Sequence, residues 1–529
     1  MQKEILKPDG AIAKHRYISM GLTEEDLTKP FVLILYEDGC ADCLPDIKTG
    51  AALASGTAGS LCLPSLNDMT AAGIGKKMLL PARESVADMT EALLSMYNPD
   101  SVCIVARSEI AAAGMLMGAV RKNIPLVFMP AWGAIFGYAK AHINKAAVTC
   151  GKASASEVDF LENASNASAG NGAGRSLEMD NFNSIAIFCE GSGLSVFGSF
   201  APRSASDRIT LARETGKRAV HRAEALAYPR REFSDKSIQA GLAAHLACGG
   251  TLSSLIHIIA IARENSINTA DFDYIADLSE KIPLLARLSP LGTCNIFDFD
   301  TAGGVRGILK ELSAIPKLLD LNSKYGSARL CEVLDGLNTD SEIIAPLNSP
   351  FSESGVTAIK GNAFDTALHR KSANGKSNGD RLKLKAFVYA DEELAKNAII
   401  GGSVQDNSAL IIKGQSAKNN GMPLLDIESW LCAKGLNNVV LITDGRCLEL
   451  MQTPVICLAD KTDIFDAVQS GDTVEIDYKK GRLNIDISSK EASSRLKRQG
   501  FETNATGSLW RYINLVGTAN QGCTLKQKF

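Results

Sequence analysis

The chain has 529 residues, 45% hydrophobic and 22% charged, with a net charge of −3. That length exceeds a single hydrophobic core and predicts two or three domains, while the balanced charge excludes a basic face or tail for a nucleic acid. No apolar run approaches a membrane span, and the charged start Met1-Gln2-Lys3-Glu4 leads into no apolar signal region, so the cytoplasm is the expected compartment.

The first strong pattern is helical periodicity over Val86–Tyr97, followed by an apolar strand at Ser101–Ala106. A helix through Met115–Val120 and a strand at Pro125–Phe128 complete a strand–helix–strand unit, which predicts a parallel sheet. Residues 151–180 are small, polar and glycine-rich and read as a long loop. Helices are then predicted at Ser204–Leu226, Asp235–Cys248, Thr251–Glu264 and Thr269–Glu280, each with an apolar face at 3.6 spacing. Beyond the boundary marked by "NTDSEIIAPLNSPFSESG", strands dominate: Lys383–Tyr389, Ala409–Lys413, Val439–Thr443 and Val455–Leu458. Thr473–Tyr478 and Arg482–Ile487 alternate in and out around Lys479-Lys480-Gly481 and predict a hairpin. Residues 370–381 read as an exposed polar loop.

The expected fold is therefore α/β, with a helix-rich N-terminal domain over residues 1–340 around a mostly parallel sheet. A C-terminal β-barrel-like domain is expected over 341–529.

Thirteen scattered cysteines are expected as free thiols, mostly core filler. Cys40 and Cys43 have C-x-x-C spacing, but no second pair lies at zinc-ribbon spacing. The glycine-rich "GNGAGRS" and "EGSGLSVFG" have the composition of an anion cradle at a helix start, but a lone glycine run is weak evidence for one. All six histidines read as structural; His257 sits on an apolar helix as a satisfied core residue.

Eight segments, in order, carry a resemblance to one family. They are "HRYISMGLTEEDLTKPF", "MLLPARESVADMTEALL", "AAAGMLMGAVRKNIPLVFM", "CGGTLSSLIHIIAIA", "APLNSPFSESGVTAIKGN", "NNGMP", "VVLITDGR" and "LWRYINLVGTANQG". Over nearly its whole length the chain resembles the dihydroxy-acid and phosphogluconate (sugar-acid) dehydratases. The resemblance implies a homodimer with its site between the two domains, and removal of water from a 2,3-dihydroxy acid to give a 2-keto acid. It also implies an iron–sulfur cluster on three cysteines, a magnesium-type divalent ion held by carboxylates and a carbamylated lysine, and a serine base.

Carried over position by position, this implied machinery is eroded. The cluster positions fall at Cys43, Ser108 and Ser176, so a single thiol is kept, and a neutral serine hydroxyl replaces a soft thiolate poorly. Glu109 stands where the family has a metal-binding Asp, and Asp68, or Asn67 beside it, stands at another such position; both acids read as vestigial magnesium ligands. Ile110 occupies the lysine position, Leu424 a carboxylate position and Leu448 the base. His15-Arg16 matches a family position near the site or the dimer partner.

Two functions follow as expectations. The first is a non-catalytic dehydratase-family protein without a cofactor, pairing with itself or with a family relative and binding a small hydroxy acid. The alternative is an active hydro-lyase with a rebuilt site.

Overall fold

The computed structural model describes residues 17–66, 74–132, 135–136, 146–152, 175–202, 204–325, 328–370, 381–496 and 505–526. His15, Arg16, Asn67, Asp68 and most of the loops expected at 151–180 and 370–381 lie outside the described residues.

Strand β1 (Phe31–Glu37) reads FVLILYE and is buried almost throughout, as a strand covered on both faces must be. It lies in a four-stranded parallel sheet of order β2-β1-β3-β4, with β2 Thr57–Leu63, β3 Ser101–Ala106 and β4 Leu126–Pro130. The parallel sheet is as expected, and β1 and β2, which lie before the first periodic segment, form half of it. Helix α1 (Leu44–Leu53) joins β1 to β2, α2 (Ile74–Tyr97) joins β2 to β3, and α3 (Glu109–Lys122) joins β3 to β4.

Two of these helices are longer than their periodicity suggests. α2 starts twelve residues before Val86 and carries Pro81 inside it, while α3 starts at Glu109 rather than near Met115. The reason for α3 is burial on every side. From Glu109 to Val120 all its residues are buried, which erases the amphipathic signal. Its small residues also let α2 come close: a Cβ on Gly114 would lie 2.7 Å from the Arg83 carbonyl oxygen, and one on Gly118 would lie 2.5 Å from that of Ala87.

Of the helices that follow, α5 (Ala205–Glu224) packs on this sheet, α4 (Asn181–Gly191) and α7 (Leu252–Glu264) pack on α3, α6 (Asp235–Ala247) packs on α4, and α8 (Phe272–Ser279) lies against the C-terminal half. Helix α7 begins at Thr251, whose hydroxyl accepts the Ser254 amide as an N-cap, and it is buried on nearly all faces.

The C-terminal half is built on an eight-stranded mixed sheet. Its strands are β5 Val356–Ile359, β6 Phe364–Arg370, β7 Arg381–Tyr389 and β8 Ala409–Ile412. Two short strands, β9 Leu424–Leu425 and β11 Arg446–Cys447, pair with each other in parallel outside that sheet. The remaining members are β10 Val440–Thr443, β12 Val455–Lys461, β13 Thr473–Asp477 and β14 Arg482–Ile485. The order is β5-β6-β12-β10-β8-β7-β13-β14, with β7, β8, β10 and β12 parallel and the rest antiparallel. The ends nearly meet: the Lys360 amide donates to Gly481 O and the Leu483 amide to Lys360 O, both at 2.8 Å. Gly361, at φ +154°, makes this closure possible, because a Cβ there would sit 2.0 Å from the Leu483 carbonyl oxygen. The parallel strands require helical crossovers, so α9 (Glu392–Ile400) and α10 (Glu428–Lys434) lie within a half that reads as mainly β in sequence.

No helix among the described residues is long and apolar enough to cross a membrane.

Candidate functional site

The carboxyl ends of parallel strands point their following loops at one edge, where such folds place ligands. Here β1 ends at Glu37, and its buried carboxylate accepts the amides of Arg107 at 2.8 Å and Ser108 at 3.0 Å, just past the end of β3. The Ser65 hydroxyl donates to the same carboxylate at 2.6 Å. Glu37 therefore fixes the turn that presents Ser108 and Glu109 at the start of α3.

Ser108 is the N-cap residue of α3, yet its buried hydroxyl makes no cap bond and has no hydrogen-bond partner among the described residues. Ser176 is buried too, its hydroxyl accepting the Glu178 amide at 3.1 Å. Cys43 lies at the entry to α1, and its thiol donates to the Cys40 carbonyl at 3.5 Å. Burial pushes the Cys43 thiol up to about 12 and raises Cys40 as well, so both stay protonated at neutral pH.

Glu109 is almost fully enclosed. Asn181 Nδ2 donates to its Oε2 at 2.8 Å, Arg446 Nη1 donates to its Oε1 at 2.5 Å, and His257 Nε2 bonds the same oxygen. Burial is the main cause that pushes His257 down to about 4, so at neutral pH the ring is uncharged. A neutral ring with its proton on Nε2 donates to Glu109 and leaves Nδ1 to accept from Arg83 Nη1, 3.3 Å away. Asn181 is placed by the first turn of α4, where Asp180 caps the helix by accepting the Asn183 amide at 2.7 Å. In the sequence Glu109 stands at a metal-ligand position of the resemblance and His257 reads as core, whereas Arg446, Arg83 and Asn181 carry no site signal of their own. Only the doublet "GR" in "VVLITDGR" hinted at Arg446.

The three positions that the resemblance assigns to lysine, carboxylate and base come together as well. Ile110, Leu424 and Leu448 belong to one buried apolar cluster with Leu79 and Leu450. The backbone explains the meeting: Leu424 on β9 faces Arg446 on β11, and the Leu448 amide donates to Leu425 O at 2.8 Å. The loop after β11 is then held by Glu428, whose carboxylate accepts the amides of Leu450 at 2.7 Å, Thr453 at 2.8 Å and Gln452.

The comparisons with known proteins agree with this architecture. The N-terminal model of the dihydroxy-acid/6-phosphogluconate dehydratases matches residues 39–328, and the C-terminal model of the same family matches 342–523. The chain belongs to this dehydratase family. Among its relatives, the dihydroxy-acid dehydratase of Pyrococcus furiosus is 28% identical, the match covering 99% of this chain and 100% of that protein. The dihydroxy-acid dehydratase of Caldicellulosiruptor saccharolyticus is 29% identical over the same shares, and that of Akkermansia muciniphila is 28% identical over 100% of both chains.

The donor set at the described positions does not suit the cofactors the resemblance implies. Ser108 and Ser176 offer buried neutral hydroxyls where soft thiolates would be needed, leaving Cys43 as the single thiol of the three, and isoleucine and leucine side chains cannot bind a divalent ion. Among the described residues no group of three or more His, Cys, Asp or Glu side chains is arranged to hold a metal ion.

Proposed function

We propose that this dehydratase-family chain has lost the iron–sulfur and magnesium dehydration chemistry and acts as a non-catalytic binding or partner subunit. One observation carries the reading: Ile110, Leu424 and Leu448 pack against one another in a buried apolar cluster. A site still removing water would need charged or ionisable groups there to polarise the leaving hydroxyl and take the proton. In the same reading the chain divides into domains at 1–340 and 341–529. It forms a dimer with itself or a motif-complete relative, works in the cytoplasm, and takes a small hydroxy acid as ligand. Cys43, Ser108, Ser176, Asp68 and Glu109 are then remnants of the ancestral ligand set, and Leu448 stands for the lost base.

The test is purification without oxygen, followed by iron and sulfide analysis and a turnover assay on aldonic and 2,3-dihydroxy acids with added divalent metals. Protein free of iron and silent across the panel is the expected result. Stoichiometric iron and sulfide would end this reading.

A second reading, a hydro-lyase converting a 2,3-dihydroxy sugar acid to a 2-keto acid at a rebuilt site, is favoured by the pairing of Glu109 with a neutral His257. A carboxylate–imidazole pair is a common proton-transfer device. Full-length relatives named dihydroxy-acid dehydratase add to its support. Turnover abolished by Glu109→Ala would establish it.

A further inference from the structure

A cleft of about 200 Å³ lies in the C-terminal half, and its lining shares no residue with the cluster of Ile110, Leu424 and Leu448. It opens at the carboxyl ends of the parallel strands β8 and β12, the edge at which such sheets take ligands. Three stretches of chain build its walls. Past β8, the turn at 416–419 is set by Asp444, whose carboxylate accepts the amides of Gln415 at 2.8 Å and Ser416 at 3.1 Å. At the end of β12, Asp460 accepts the amides of Ala519 at 2.8 Å and Asn520 at 3.3 Å, which seats the third wall at 517–519. Lys461, beside it, is committed to Asp466 and to Asp444, 3.5 Å away.

Two charges in the lining are left over. Asp365 is the extra residue of a β-bulge: the ladder pairs Phe364 with Lys461 and Thr366 with Asp460, so β6 carries one residue more than β12 at that point. Such a bulge re-aims its side chain, here into the cleft. Lys418 lies on the turn past β8. Both are exposed, and among the described residues neither has a hydrogen-bond or ion-pair partner, each other included. A carboxylate and an ammonium that line one cleft without meeting leave the space between them to a molecule carrying both opposite charges.

The walls are in place before anything binds. A Cβ on Gly421, just past the turn, would lie 2.2 Å from the Lys77 carbonyl oxygen of α2. The carbonyls of Gly522 and Cys523, just past the third wall, accept from Arg83 Nη2 of the same helix at 2.9 and 2.8 Å. Both walls are thus pinned to the N-terminal half, and a ligand is spared the cost of ordering them.

We infer that this cleft binds a small zwitterion, a free α-amino acid, with its carboxylate on Lys418 and its ammonium on Asp365. The volume is about seven times the ~30 Å³ share of one water molecule, room for roughly seven non-hydrogen atoms, the size of alanine, serine or threonine. Neither Asp365 nor Lys418 is among the positions read as remnants of the ancestral site, so amino-acid binding and dehydration chemistry are tested separately.

Isothermal titration of the full chain with L-alanine, L-serine and L-threonine is expected to give saturable one-to-one binding of at least one of them. Ethylamine and propionate, the two halves of L-alanine, are expected to bind at least about tenfold more weakly than the best amino acid, since each lacks one charge-assisted contact. Asp365→Asn and Lys418→Met are each expected to weaken that binding about tenfold or more. Both should leave the ligand-free melting midpoint within about 1 °C of the parent, because the side chains are exposed and unpaired. No saturable heat from any of the three amino acids, a half-ligand that binds as tightly as the best of them, or variants that bind like the parent overturns the inference.

Discussion

Replacing Leu448 by serine returns a hydroxyl to the position where the family places its base, and the structure says what that costs. Leu448 is 9% exposed and packs with Leu79, Ile110, Leu424 and Leu450. Truncating a buried leucine to about the size of alanine costs roughly 2–5 kcal/mol, depending on how far the cavity collapses. A hydroxyl left among leucines without a partner adds about 1–3 kcal/mol. The sum is on the order of 3–8 kcal/mol. Unfolding entropy of about 2.1 cal/mol/K per residue gives roughly 1.1 kcal/mol/K if all 529 residues melt as one unit, so each kcal/mol moves the midpoint by about 1 °C. Scanning calorimetry of Leu448→Ser should therefore show a drop of about 3–8 °C and no turnover of any hydroxy acid, whereas Leu448→Met should stay within about 1.5 °C. A serine variant as stable as the parent would mean that the cluster is not the packed plug described. A serine variant that turns over substrate would mean that the chemistry was never lost.

Three further expectations follow. Burial raises the Glu428 carboxyl to about 7 from an ordinary value of 4.5. Its contribution to stability is thus fully present below pH 4.5 and lost as pH rises through 7, a swing on the order of 3 kcal/mol. Glu428→Gln should remove that component, so urea midpoints of variant minus parent shift in the variant's favour between pH 5 and pH 8; parallel profiles would contradict the assignment. Gly361→Ala should open the barrel seam at Lys360 and Leu483, raising amide exchange there while leaving β1 and β3 protected, and unchanged exchange would show that the contact yields easily. Cys43→Ser should leave iron content and melting midpoint unaltered, because a thiol held protonated and bonded to the Cys40 carbonyl holds no metal in this reading; a loss of bound iron would refute it.

Much of the architecture was legible in the chain itself. Apolar runs such as Ser101–Ala106 can only be strands covered on both faces, and the hairpin at Thr473–Asp477 and Arg482–Ile485 follows from strict alternation about Lys479-Lys480-Gly481. The substitutions at the positions the resemblance assigns to ligands and base, Ser108, Ser176, Ile110, Leu424 and Leu448, were legible too, because they can be read residue by residue without knowing what packs around them. The start of α3 was not legible, because a helix buried on all sides has no polar face to set its period. Nor could the chain, read as a string, show that Ile110, Leu424 and Leu448 touch, or that Glu109 is matched by Arg446 from 337 residues away. Composition and spacing decide which groups exist and which local segments form. Only the packing of the two halves decides which of those groups are forced together out of water, and a buried carboxylate or a leucine plug has no meaning until that contact is made.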